Sequence, residues 1–187
     1  MELEKIISER IIAILPVYLS MKGNCSVIIT LKGGTYQVHK TVRTILKQMT
    51  RYFLMDLNHI RRYYGNLLNV KNLTPIPFNR DNIFIPVKVR RPLARNDGSI
   101  GYINIDSIKK VSEANGKTKI LLINNNTIDC LNSMETVNKH IKNGNIVKNL
   151  IKEKEYAYIC EEYDRPATKG DVVMIINELL RIRETIK

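Results

Sequence analysis

The chain has 187 residues, which is enough for one large domain or two small ones with a substantial hydrophobic core. Its 44% hydrophobic and 26% charged residues are typical of a folded soluble protein, and no apolar run reaches the ~20 residues that cross a membrane. The N-terminal residues lack the basic-then-apolar order of a secretory signal, so we expect a cytoplasmic protein without a membrane partner.

The net charge of +12 is concentrated in one segment of the chain. Residues 21–95 contain 14 basic side chains and only two acidic ones, Asp56 and Asp81. The flanking segments are nearly balanced, because residues 1–20 have 2 basic and 3 acidic side chains and residues 96–187 have 14 and 13. An unbalanced positive field raises the local concentration of a polyanion. The distribution therefore favours nucleic acid as the partner.

The first predicted element is an amphipathic helix over residues 2–15, because apolar residues recur there at helical spacing until Pro16. Two strands around Gly33 should form a hairpin, since glycine accepts the positive φ of a tight turn. A helix is expected from residue 42 to about residue 53, with Thr41 as its N-cap.

The later elements repeat these types. A strand is predicted over residues 82–89, followed by a basic loop and then by a second hairpin. The helix after this hairpin should be capped by Ser133 or Asn132 and closed by Gly144, and a last helix should be capped by Asp171. The irregular alternation of helices and strands predicts an α+β fold with mainly antiparallel strands.

One hairpin-helix unit occurs twice, because residues 28–49 and 120–141 align without a gap and match at seven further apolar positions. The identical pairs are Ile28/Ile120, Thr35/Thr127, Thr44/Thr136 and Lys47/Lys139. We therefore predict two similar halves, residues 1–95 with the N-terminal helix and residues 96–150, followed by a tail with a terminal helix over residues 151–187.

The two copies differ in the charge of their helices. Arg43, Lys47 and Arg51 lie four residues apart, so they project from one face of the first helix, opposite its apolar side. The equivalent positions in the second helix are Glu135, Lys139 and Asn143. There the first two can pair at i and i+4, as on a solvated helix. Only the first copy is thus expected to carry an uncompensated cationic face.

Further basic residues follow in the same segment, several of them on a proline-containing loop. A narrow A/T-rich minor groove concentrates negative potential and accepts arginine side chains of this kind. The candidate DNA-binding residues are Arg43, Lys47, Arg51, Arg61, Arg62, Lys71, Lys88, Arg90, Arg91 and Arg95.

No pattern of catalytic or metal-ligating residues is visible in the sequence. Cys25, Cys130 and Cys160 form no C-x-x-C pair, the three histidines are scattered, and neither glycine-rich phosphate motif is present. An enzyme acting on nucleic acid would need paired carboxylates for a metal ion, which the basic segment does not offer. We therefore predict a protein that is not an enzyme and that needs no metal or cofactor.

The last helix has a broad apolar face, wider than packing against one neighbour requires. The residues of this face are Val172, Ile175, Ile176, Leu179, Ile182 and Ile186. Its place at the end of the chain favours sharing between subunits over folding back onto its own domain, which stays the alternative, and we expect a homodimer.

The order of several motifs resembles the competence transcription factor ComK family. The resemblance covers residues 25–145 and rests on "TILKQMTRYF", "YYGN", "PIPF…NIFIPVK", "GYINIDSIKK" and "NSMETV" in that order. The half-repeats also resemble the LytTR type of DNA-binding domain. The ComK resemblance implies a bacterial transcription activator that binds A/T-rich double-stranded DNA, largely through the minor groove, as dimers that pair on the DNA. It also implies control of competence genes and turnover through an adaptor and a Clp protease.

Two other functions remain open at this point. An RNA-binding protein would carry aromatic side chains on strand faces, and the chain is only 6% aromatic. A protein-interaction module would act through the C-terminal helix.

Overall fold

The computed structural model of the chain describes residues 2–93, 97–114, 116–163 and 168–185. Within these residues it contains α-helices, one short 3-10 turn and β-strands in two sheets. The helices are α1 (Glu2–Ser8), α2 (Val42–Tyr52), α3 (Leu57–Leu67), α4 (Met134–Tyr163) and α5 (Lys169–Thr185). The strands are β1 (Ile11–Leu19), β2 (Gly23–Thr30), β3 (Thr35–Val38), β4 (Ile76–Asn79), β5 (Asn82–Lys88), β6 (Ile100–Asn104), β7 (Ile108–Ala114), β8 (Lys117–Leu122) and β9 (Thr127–Cys130).

The strands form two sheets, one with the order β3-β2-β1-β6-β5-β4 and one with the order β7-β8-β9. Every recorded strand pair is antiparallel. Helices precede the first strand and follow the last one. The predicted α+β class with mainly antiparallel strands is therefore confirmed.

The six-stranded sheet is covered on both faces. On one face, Ile28 of β2 and Phe84 of β5 share a buried cluster with Ile45 and Met49 of α2. On the other face, buried side chains of β1, β2, β5 and β6 pack against the three-stranded sheet and Val137 of α4. Burying both faces of one sheet explains why its inner strands are apolar at nearly every position.

The predicted N-terminal helix over residues 2–15 is wrong beyond Ser8. The chain turns at Arg10, which has a φ of 61°, and then enters β1. The side chains of residues 11–14 point to both faces of the sheet, and both faces are buried. All four residues are therefore apolar, and such a run also fits the spacing of an apolar helix face. Pro16 lies in this strand beyond the residues that pair with β6, where a missing N–H is tolerated.

Both hairpin-helix units are present, and their helix caps match atom for atom. The Thr41 hydroxyl accepts a hydrogen bond from the Thr44 N–H at 3.2 Å, and the Ser133 hydroxyl accepts one from the Thr136 N–H at 3.3 Å. The hydroxyl oxygens of the two side chains are also hydrogen-bonded to each other, at 3.0 Å in the first pair and 2.9 Å in the second. The sequence repeat thus encodes a hairpin, a cap and the start of a helix.

Two predicted helix boundaries are wrong. α4 does not end at Gly144 but continues through it to Tyr163. A Cβ atom at Gly144 would lie 2.8 Å from methyl groups of Ile85 and Ile105, so glycine serves close packing of α4 against the sheet. α5 begins before Asp171, because its N-cap hydroxyl comes from Thr168.

Residues 1–151 form one compact unit and residues 152–187 form a second. The predicted boundary between residues 95 and 96 does not separate two bodies, because β6 pairs with β1 on one side and with β5 on the other. The predicted start of the tail at residue 151 lies one residue from the observed division.

Candidate nucleic-acid interface

The outer face of α2 is cationic. Arg43, Lys47 and Arg51 are exposed, whereas Ile45 and Met49 between them are buried in the core. α2 contains no acidic residue, and the next helix, α3, contains none either. The helical period therefore separates the apolar from the basic side chains of α2, and nothing on the helix neutralises the latter.

A groove of about 270 Å³ extends the cationic surface from α2 to α3. Arg43 of α2 and Arg61 of α3 both line it, together with Asn24 and Tyr102 from the sheet. The Arg61 Nη2 donates a hydrogen bond to the Tyr102 hydroxyl at 3.4 Å, which orients the guanidinium. None of the described residues that line this groove is acidic.

A second groove of about 460 Å³ lies beside α3. Arg61, Arg62 and Lys71 line it, so Arg61 belongs to both grooves. The turn after α3 is closed by a 2.9 Å hydrogen bond from the Val70 N–H to the Gly65 carbonyl, which brings Lys71 back alongside the helix. The described residues lining this groove also include no carboxylate. Together the two grooves and α2 form one cationic strip.

Lys88, at the end of β5, lies on the same side of the sheet as this strip. It is four residues from Phe84, whose side chain is in the cluster beneath α2, and alternate strand residues share a face. Its cross-strand partner is Ile100, which lines the first groove. Lys88 is exposed, so its ammonium group is available at the edge of the strip.

Arg90 has a structural role in the loop between β5 and β6. Its guanidinium forms an ion pair with Asp97 at 3.1 Å, and the two side chains are only 16% and 6% exposed. The same guanidinium donates hydrogen bonds to the Gly98 carbonyl at 2.7 Å and to the Asn24 side chain at 2.9 Å. Arg90 is therefore already engaged within the protein, whereas Arg91 is exposed. Arg95 lies outside the described residues.

One of the two carboxylates of the basic segment caps a helix. Asp56 caps α3, where it accepts a hydrogen bond from the His59 N–H at 2.6 Å. On α4, the equivalent of α2 in the repeat, Glu135 and Lys139 are both exposed. In the described part of the chain no ion pair joins their charged groups, although the sequence predicted one. The α4 surface still carries both signs of charge, and the α2 surface carries one.

Sequence reasoning did not identify the neutral polar residues of the grooves. Asn24 and Tyr102 come from β2 and β6, Asn66 lies in the last turn of α3, and Asn69 follows that helix. No motif connects these positions, because only the pairing of distant strands brings the first two to α2.

The described residues contain no group of three or more His, Cys, Asp or Glu side chains that could hold a metal ion. Among the helices described, none has both the length and the apolar character needed to cross a membrane.

No protein-family model, curated protein or solved structure matches the chain. The relation to ComK regulators thus stays a prediction from sequence motifs.

Proposed function

We propose that this chain is a transcription regulator that binds A/T-rich double-stranded DNA. The observation that supports this function is the cationic strip on one side of the six-stranded sheet, whose grooves carry no carboxylate among their described residues. The resemblance to ComK regulators extends the proposal to activation of competence genes and to turnover through an adaptor and a Clp protease.

The dimensions of α2 suit a duplex backbone. From Arg43 to Arg51 the helix rises about 12 Å, at 1.5 Å per residue. Over that distance B-DNA presents about seven phosphate charges, at one per 1.7 Å of axis. With Arg61, Arg62 and Lys71 added, about six side chains can contact phosphates, which positions the protein without reading sequence. Sequence preference then falls to the exposed loop arginine, Arg91.

Duplex DNA is favoured over RNA by the covering of the sheet. Proteins that bind single-stranded RNA on a sheet stack bases on exposed aromatic side chains of the strands. Here both faces of the six-stranded sheet are occupied by buried clusters. The cationic strip belongs mainly to helices, which match a duplex better than unstacked bases.

The function is tested by electrophoretic mobility shift of the full chain with an A/T-rich duplex, a G/C-rich duplex and single-stranded RNA of equal length. We expect the A/T-rich duplex to bind most tightly, because its narrow minor groove attracts arginine. Equal or tighter binding of the RNA would contradict the proposal and favour the RNA-binding alternative.

Arg91→Ala should relax the sequence preference. We expect a loss of about 1–3 kcal/mol in binding free energy at the A/T-rich site and a smaller loss at a G/C-rich one. Affinities for the two duplexes can be measured by fluorescence anisotropy at one salt concentration. A uniform loss on both duplexes would instead make Arg91 a phosphate contact.

A further inference from the structure

α5 exposes an unusual amount of apolar surface. Eight large apolar side chains between Val172 and Ile182 are 49–72% exposed, and five of them are consecutive. Monomeric proteins rarely expose contiguous apolar patches larger than a few hundred Å². The sixth residue of the predicted dimer face, Ile186, lies outside the described residues.

The start of α5 is nevertheless well defined. The Thr168 N–H and hydroxyl both donate to the Asp171 carboxylate at 2.7 Å, and the Asp171 N–H donates back to the Thr168 hydroxyl at 3.3 Å. These hydrogen bonds lower the pKa of Asp171 from its ordinary value. A reciprocal cap fixes where the helix begins, but most of the stability of helices in proteins comes from packing of an apolar face. A partner that covers the apolar face would supply the missing stabilisation.

The spacing of the apolar residues indicates what that partner is. Val172 and Leu179 occupy a positions of a heptad pattern, and Ile175 and Ile182 occupy d positions. Such a seam is complementary to another copy of itself. We propose that α5 packs along this seam, in parallel, against α5 of a second copy of this chain.

The charges beside the seam select the parallel orientation. In the same pattern Glu178 is at a g position and Arg183 is at the following e position. In a parallel pair, g of one helix lies beside the following e of its partner, so each Glu178 meets an Arg183. In an antiparallel pair, g meets g, and the two Glu178 carboxylates would repel each other. Within one helix Glu178 also forms an i,i+3 ion pair with Arg181 at 3.5 Å. The two side chains are 68% and 80% exposed, so this ion pair competes only weakly with the one between the helices.

Light scattering of the full chain after size exclusion tests the pairing. The wild type should have twice the 21.6 kDa mass of one chain. Leu179→Glu places a charge in the seam and should give the single-chain mass. Met174→Glu is the matched control, since Met174 is 72% exposed at a c position outside the seam. It should leave the dimer intact. A monomeric wild type, or equal dissociation by both variants, would overturn the proposal.

Charge reversal tests the orientation. Glu178→Arg should weaken dimerisation about fivefold, and the double variant Glu178→Arg with Arg183→Glu should restore it, as measured by sedimentation equilibrium. If the single reversal strengthens the dimer or the double reversal fails to restore it, the parallel pairing is wrong. A monomer that instead floats with phosphatidylglycerol vesicles would show that α5 binds lipid rather than a second copy.

Discussion

Replacing Arg43, Lys47 and Arg51 together by glutamine is expected to lower duplex affinity about a hundredfold at ~0.1 M salt. With about six phosphate contacts, the wild-type plot of log affinity against log salt should have a slope near −5, at roughly 0.9 per contact. Loss of three contacts should make this slope shallower by about two to three. The side chains are exposed on α2, so the substitutions remove charge without opening the core.

The repeat supplies a matched control for this experiment. Lys139 of α4 is the aligned counterpart of Lys47 and is also exposed. Lys47→Gln should therefore reduce the salt slope by about one, and Lys139→Gln should leave it unchanged. Equal reductions of the salt slope by the two single variants would mean that DNA does not bind to the cationic strip.

Arg90→Ala should lower the free energy of unfolding by about 3 kcal/mol, because it leaves a buried carboxylate without its counter-charge. The partner, Asp97, is only 6% exposed and also accepts a hydrogen bond from the Leu93 N–H at 3.0 Å. Urea denaturation followed by circular dichroism measures the change. Arg91, the next residue, should then be held less firmly, so sequence preference should fall with stability.

Two variants separate this structural role from a role in DNA contact. Arg91→Ala, one residue further along, removes an exposed arginine and should change stability by less than about 0.5 kcal/mol. Arg90→Met combined with Asp97→Asn removes both charges and should recover most of the lost stability. An Arg90→Ala protein as stable as the wild type would show that the ion pair contributes nothing.

The sequence predicted those parts of the fold that depend on neighbouring residues. Thr41 and Ser133 each cap a helix by accepting a hydrogen bond from the N–H three residues later, so a few neighbouring residues are enough to predict this role. The start of β1 was misassigned because its pattern reflects two covering layers that are distant in sequence. Gly144 was misassigned for the same reason, since its partners Ile85 and Ile105 belong to other elements.

The candidate site likewise has residues that the sequence predicted and residues that it could not rank. The cationic face of α2 follows from the helical period alone, and the structure exposes all three of its residues. The loop arginines could not be ranked from sequence, because Arg90 and Arg91 are adjacent and chemically identical. Only the tertiary position of Asp97 and Asn24 shows that the first is engaged inside the protein.

The insertion of β6 between β1 and β5 has a consequence for synthesis of the protein on the ribosome. Ala13 pairs with Ile103, ninety residues later, so a nascent chain cannot close the six-stranded sheet before β6 has left the exit tunnel. Until then β1 and β5 each present an unpaired edge, and such edges recruit other strands. Pairing over this distance also makes folding slow compared with helical proteins. Newly made chains should therefore depend on chaperones until residue 104 emerges, and cutting the chain within the loop before β6 should yield an aggregating fragment.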